Sequence, residues 1–151
     1  MVNSTMRDPT VEQRTLEWAE TATWFREHVD DLDPLMPHEM GGTDQWDVSD
    51  SSGDRVGLAV VEPDHPSDVA GTDETVAWVH RIGVADDHQG EGFGRELLEC
   101  IHEEYGVIKL EIDSRKPANG FYEALGMELT EEKYAVMNDG TEGTMNVWLL
   151  R

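Results

Sequence analysis

Between Ile82 and Leu98 the apolar ending Ile82-Gly83-Val84 runs into Asp86-Asp87-His88-Gln89. The glycine-rich stretch Gly90-Glu91-Gly92-Phe93-Gly94 follows, and it leads directly into Arg95-Glu96-Leu97-Leu98. A turn of this kind, opening a helix, leaves several backbone N–H groups unpaired and aimed at one point, with the positive end of the helix dipole behind them. Glycine adds close approach and freedom at positive φ. The chemistry such a turn suits is the binding of a phosphate or pyrophosphate. Spacing narrows the ligand: counted from Gly90, a G-x-G-x-x-G dinucleotide fingerprint would need glycine where Arg95 stands, and no Gly-Lys-Ser/Thr of a P-loop occurs. Taken alone, the three glycines also fit a tight strand-to-helix turn with no ligand at all.

The wider pattern separates these readings. Gln89-x-x-Gly92-x-Gly94, following Ile82-x-Val84, resembles the acetyl-CoA signature Q/R-x-x-G-x-G/A of the GNAT N-acetyltransferases. Leu110-Glu111-Ile112, followed by Ala118-x-x-Phe121-Tyr122-x-x-x-Gly126, is similar to that superfamily's second half. The likeness spans residues 75–151 by motif and the N-terminal half by element order. It implies acetyl-CoA as co-substrate, with main-chain N–H groups of the glycine turn on the pyrophosphate. The pantetheine arm would lie where the strand ending in Ile82 to Val84 splays from the strand Val107 to Asp113. The coenzyme set carried over is Ile82, Gly83, Val84, Gln89, Gly90, Glu91, Gly92, Phe93, Gly94 and Arg95. To it we add Arg115, which stands where the family often has asparagine.

Acetyl transfer to an amine needs a neutral nucleophile and a proton for the departing thiolate. On the resemblance, Tyr122 is the acid; read as a bare residue beside Phe121 and Leu125, it is a core tyrosine. Glu111, on the polar side of its strand, is the first candidate for the base, acting through water. His80 is the second, because histidine is the side chain that ordinarily titrates around neutrality. Arg95, Arg115 and Lys116 concentrate positive charge in an acidic chain, where they would offset repulsion of the coenzyme's phosphates. Trp24 and Trp46 are candidates for an acceptor pocket. Cys100 has no paired histidine in view, which favours direct attack over a covalent enzyme intermediate. No histidine spacing suggests a metal site.

Elements must position these groups. A helical pattern runs from Thr10 through Val11, Trp18, Ala22, Phe25, Val29 and Leu32, with Pro34 and Pro37 ending it. Gln45 to Ser49 and Arg55 to Glu62 read as a hairpin about Ser51-Ser52-Gly53-Asp54. In its second strand Val56, Leu58 and Val60 face one way and Ala59 and Val61 the other, as in a strand buried on both sides. Pro63 to Asp73 is a loop and Thr75 to Val84 a strand. Gly92 to Tyr105 forms a helix and Val107 to Asp113 a strand, with Lys109, Glu111 and Asp113 on its polar side. A further helix begins at Pro117 and ends at Gly126. Lys133 to Met137 and Thr144 to Leu150 make a last hairpin around Asn138-Asp139-Gly140. The expected fold is a mixed α/β GNAT fold with a mostly antiparallel sheet, splayed at the coenzyme site and carrying helices on both faces. It forms one domain over residues 1–151, with residues 1–9 as a loose N-terminus.

The 151 residues carry 11 Lys and Arg against 33 Asp and Glu, a net charge of −22, and are 38% hydrophobic. That suffices for a core and argues against nucleic-acid or anionic-membrane surfaces, which need clustered cations. A single cysteine excludes an intramolecular disulfide. No apolar run is long enough to span a bilayer, and no signal-like segment follows Met1. The expected setting is cytoplasmic, with the acidic surface as an adaptation to concentrated salt. The expected partners are acetyl-CoA and an amine acceptor, either a small molecule or a protein amine. No metal, nucleic acid or membrane is expected, and a homodimer is compatible with the resemblance. A non-catalytic acyl-CoA sensor or interaction module on the same fold is the alternative function.

Overall fold

The computed structural model describes residues 9–30, 32–66, 75–137 and 139–151. Its elements are β1 (Thr10–Arg14), α1 (Trp18–His28), β2 (Asp44–Ser49), β3 (Arg55–Pro66), β4 (Thr75–Val84), α2 (Phe93–Tyr105), β5 (Ile108–Asp113), α3 (Ala118–Ala124), β6 (Glu128–Val136) and β7 (Glu142–Leu150). The seven strands form one sheet in the order β1-β2-β3-β4-β5-β7-β6. Every neighbouring pair is antiparallel except β4 with β5. Helices cover both faces. On one, α1 sets Trp24, Phe25 and Val29 against Leu58 and Val60. On the other, Leu97, Leu98 and Ile101 of α2 and Tyr122 of α3 pack with Ala59, Val61, Ile108 and Trp148. Each large side chain buried there contributes on the order of 2 kcal/mol.

The structure corrects the N-terminal reading. Thr10 opens a strand, and the helix begins only at Trp18. Five residues of β1 pair with β2, and Gln45 Oε1 accepts from the Leu16 amide at 3.0 Å, holding the chain extended up to the helix. Val11, counted in the helical stripe, packs on the α2 side of the sheet, opposite Phe25 and Val29. The seven-residue step from Val11 to Trp18 fits the helical period by accident, because β1 and α1 bury apolar residues on different faces. The expected loose N-terminus falls almost wholly outside the described residues, as does most of the loop expected from Pro63 to Asp73. Within its described part, Pro63 to Pro66 continue β3.

Two further corrections concern strands. Val48 pairs with Gly57 and Ser49 with Arg55, so Val56 is the extra residue of a β-bulge. Val56 therefore joins the cluster of Ala59 and Val61, not that of Leu58 and Val60. β6 begins at Glu128, five residues before the expected Lys133, because β7 offers it a partner whatever its local polarity. Lys109, assigned to a polar strand face, is only 1% exposed. Its ammonium lies 5.0 Å from the centre of the Trp78 ring and 3.5 Å from Glu111.

Candidate active site

The parallel pair of β4 and β5 is short. Ala77 pairs with Ile108 and Trp78 with Lys109, and beyond that register the strands separate. β3 stays paired along β4 up to Val84, and β7 along β5 up to Asp113, so each strand is held from behind while a gap opens between them. The gap is a cleft of about 790 Å³, within the usual range for small-molecule sites. β4 contributes Val79 through Val84, β5 contributes Leu110 through Asp113, and the glycine turn closes one end.

At that end the backbone does the work. Gly90 and Gly92 have φ of +84° and +90°, and a side chain at either would point into open space. Gly92 is also the N-cap of α2, so the first amides of the helix face the cleft with no side-chain cap over them. Gly94 serves a different need. A Cβ there would stand 3.1 Å from Phe121 and 3.4 Å from Val84, so this glycine lets α2 close against α3 and β4. Gly83 plays the same part against α1, where a Cβ would meet Val29 at 3.0 Å. Arg95 and Lys116 line the cleft beside the turn. These residues fit a pyrophosphate: open amides, a helix N-terminus and two cations.

Of the expected coenzyme set, Ile82, Gly83, Val84, Gln89, Gly90, Gly92, Phe93, Gly94 and Arg95 line the cleft. Glu91 and Arg115 do not. Glu91 faces His88 at 3.3 Å. Arg115 is 55% exposed and makes a two-pronged contact with Asp113, Nη2 to Oδ2 at 2.7 Å and Nε to Oδ1 at 3.0 Å. These bonds, with one from the Arg115 amide, hold the Asp113 carboxyl down to about 2. Trp24 and Trp46 are buried away from the cleft; Trp46 donates to the Tyr105 hydroxyl at 2.9 Å.

The three candidate catalytic groups all line the cleft. Tyr122 is 5% exposed, and burial pushes its hydroxyl up to about 12, so it keeps its proton at neutral pH. Glu111 Oε2 accepts from Lys133 Nζ at 3.0 Å and lies 3.5 Å from Lys109. His80 Nε2 is 2.9 Å from Glu62 Oε1, and the ring stacks on Trp78 with centroids 5.1 Å apart.

Other groups escaped the sequence reading. Glu62 and His65 join His80, with His65 Nδ1 2.8 Å from Glu62 Oε2. Asn119 donates to the carbonyls of Asp113 and Lys116, and its Oδ1 accepts from Asn146 and from the Trp148 indole. Arg81 donates to the Asp33 and Pro34 carbonyls and pairs with Glu39, tying the segment after α1 to the cleft rim. The only linear hint was Glu62-x-x-His65, a spacing that a regular strand would place on opposite faces.

A mixed sheet opened at its one parallel pair, with a glycine-led helix at the mouth, defines the acetyltransferase class built to hold an acyl-coenzyme along a splayed strand. The model of the acetyltransferase (GNAT) domain matches residues 45–128, and the chain belongs to that family. Among curated proteins no sequence matches this chain. Solved structures match over nearly the whole chain. The ribosomal-protein-S18-alanine N-acetyltransferase of Escherichia coli is 19% identical, with a TM-score of 0.65 and 93% of each chain covered. Arabidopsis thaliana NAA60 in complex with acetyl-CoA is 12% identical, with a TM-score of 0.72, covering 93% of this chain and 99% of that one. A variant of spermidine N-acetyltransferase from Vibrio cholerae is 17% identical, with a TM-score of 0.65 and coverage of 93% and 92%. At these identities the likeness is one of fold.

Proposed function

We propose that this chain transfers the acetyl group of acetyl-CoA to a primary amine by direct attack. The observation that carries the reading is the cleft itself: β4, unpartnered toward β5 beyond Trp78, leads to open helix N-terminal amides. Gln89, Gly90 and Gly92 to Arg95 hold the pyrophosphate, and Lys116 adds charge beside them. Val79 to Val84 offer main-chain groups to the pantetheine arm. When bound, the coenzyme supplies an activated acyl thioester.

Tyr122 donates its phenolic proton to the leaving sulfur. Glu111 and His80 face the same cleft and compete for the role of base. The acceptor enters from the side of Leu32, Asp33 and Met145, away from the glycine turn. The test is a thiol-release assay with acetyl-CoA against an amine panel: a peptide with a free N-terminus, a lysine side chain, a polyamine and an aminoglycoside. Acetylation of one of them is the expected result. Tight acetyl-CoA binding with no turnover across the panel would favour the sensor reading instead.

The setting proposed is a cytoplasm loaded with salt. A net charge of −22 repels itself in dilute buffer, and screening to a few ångströms at molar ionic strength relieves that. The urea midpoint should therefore rise from dilute to molar KCl; an unchanged or lower midpoint would count against salt adaptation. Among the described residues no helix is long and apolar enough to cross a membrane, and no group of three or more His, Cys, Asp or Glu could hold a metal.

A further inference from the structure

β3 is irregular where it passes Trp78, just before β4 parts from β5. Glu62 pairs with Trp78 and His65 with Val76, so two residues of β3 stand opposite one of β4. Asp64, inside this bulge, takes φ +56°, the only non-glycine residue at positive φ among those described. A regular strand would send Glu62 and His65 to opposite faces; the bulge lets His65 reach the Glu62 carboxylate that His80 also meets. Oε1 of Glu62 meets His80 Nε2 at 2.9 Å and Oε2 meets His65 Nδ1 at 2.8 Å. Trp78 fixes both rings, stacked on His80 and edge-on to His65 with centroids 4.4 Å apart. Lys109 sits over Trp78, so the aromatic is itself held. Strain of this kind persists where the surroundings demand it, and here it aims one carboxylate at two imidazoles.

Resting on the acetyl-transfer reading, we propose that Glu62 is the positioning residue of the general base, His80, with His65 completing the array. An ionised carboxylate only accepts hydrogen bonds, so His80 must present Nε2–H to it. That leaves the lone pair on Nδ1 of a ring that lines the cleft. Nδ1 takes one proton from the acceptor ammonium, and Glu62 stabilises the imidazolium that forms. As the amine nitrogen bonds to the thioester carbon and the carbon–sulfur bond breaks, Tyr122 gives its proton to sulfur. The second N–H proton returns to the Tyr122 oxygen through solvent, and His80 releases its own proton to solvent. One ammonium and one thioester become one amide, one thiol and one proton. Glu111, with Oε2 held by Lys133 and Lys109, then shapes the wall without moving a proton.

The test uses Glu62→Gln, which keeps the shape and removes the charge, alongside Glu111→Gln. Rates are read with spermidine or an alanine-initiated peptide, both cationic at neutral pH, and with hydroxylamine, which is already neutral there. Glu62→Gln should lower kcat about tenfold or more on the cationic acceptors, leave acetyl-CoA affinity unchanged, and cost much less on hydroxylamine. Glu111→Gln should show no such dependence on acceptor basicity. The reverse pattern, or equal losses on both acceptor types in Glu62→Gln, overturns the proposal. A second measurement needs no acceptor: nitrogen-15 spectra of the neutral His80 ring, assigned with His80→Gln, should show the Nε2–H form. A proton on Nδ1 overturns the dyad outright. If wild type acetylates none of these amines, it is the acetyl-transfer reading that fails, while the spectra still decide the Glu62–His80 bond.

Discussion

Along the β4–α2 wall of the cleft, the groups turned toward the ligand space are largely main chain: the edge of β4 beyond Trp78 and the first amides of α2 above Gly92. Along the β5–α3 wall they are side chains, namely Glu111, Asp113, Lys116 and Tyr122, with Glu111 held by Lys133 and Asp113 by Arg115. Asn119 uses its whole amide there, donating to the Asp113 and Lys116 carbonyls while accepting from Asn146 and Trp148. One wall offers a fixed backbone shape to a ligand part common to every acyl-coenzyme. The other holds individual side chains in place, which is what proton transfer needs. The difference implies separable failures: changes to the backbone of the first wall should show in coenzyme affinity, and changes to the side chains that move protons, His80 of β4 included, in turnover.

The strongest way to break that division is Tyr122→Phe. The substitution keeps the ring between Phe121 and Trp148 and removes only the hydroxyl. Loss of a positioned acid lowers rates about a hundredfold, so kcat should fall by roughly that factor while acetyl-CoA affinity stays put. The loss should shrink with an acyl donor whose thiol is a better leaving group. A steady-state comparison of two donors checks this; untouched turnover would make Tyr122 a packing residue.

Next in size is Asn119→Ala, which removes the tie between the end of β5, the start of α3 and β7. Two carbonyls, one amide and one indole lose a partner, and a loss of about 2 kcal/mol in folding stability is expected. Chemical denaturation reads the loss, and kcat should drop more than coenzyme affinity because Tyr122 rides on α3. A stable, slow variant would sharpen the comparison. A stable variant of normal rate would show that the second wall does not need this tie.

Gly92→Val attacks the other wall. A branched side chain at φ +90° is strained by roughly 1–3 kcal/mol and fills open space over the amides of α2. Acetyl-CoA affinity, read by calorimetry, should fall about tenfold or more with kcat at saturation close to normal. Full affinity in a folded Gly92→Val protein would take the pyrophosphate off this turn.

The two walls also differ in how much of them was legible in one dimension. The main-chain wall is written locally: glycines spaced two apart after a strand state both the turn and the helix start, and the structure puts both where the spacing did. The side-chain wall is assembled from β5, α3 and β7, and no local pattern joins Asn119 to Trp148; nor does one join Glu62 on β3 to His80 on β4, eighteen residues further on. The role of Tyr122 is legible only through motif resemblance, and that of Glu111 through its place on the polar side of its strand. Two of the misread strand segments share one cause. Val11 and Val56 were placed by regular periodicity, but pairing with β2 claimed the first and a bulge turned the second. The burial of Lys109 depends on Trp78 of the neighbouring strand, which the alternation of β5 alone does not reveal.

The smallest expected effect is a pH dependence confined to the side-chain wall. Asp113 is held down to about 2, chiefly by the side-chain hydrogen bonds of Arg115 and then by the Arg115 amide. Its folded value lies below the ordinary carboxylate range, so the pair contributes stability fully above roughly pH 4, and that contribution is lost as pH falls toward about 2. Arg115 is mostly exposed, so solvent and salt screen the pair and the contribution is small. The amides above Gly92 do not titrate, so the glycine-turn end of the cleft should not follow the same course. Because the other carboxylates also protonate in this window, the quantity to measure is a difference. The fall in thermal midpoint between about pH 4 and about pH 2 should be steeper in wild type than in Arg115→Gln, and the gap should narrow as KCl is added. Parallel curves for the two proteins would mean that Arg115 leaves Asp113 as it would be in the unfolded chain. In that case the guanidinium would be free to serve the coenzyme's phosphates from the rim, and Arg115→Gln should then weaken acetyl-CoA binding instead.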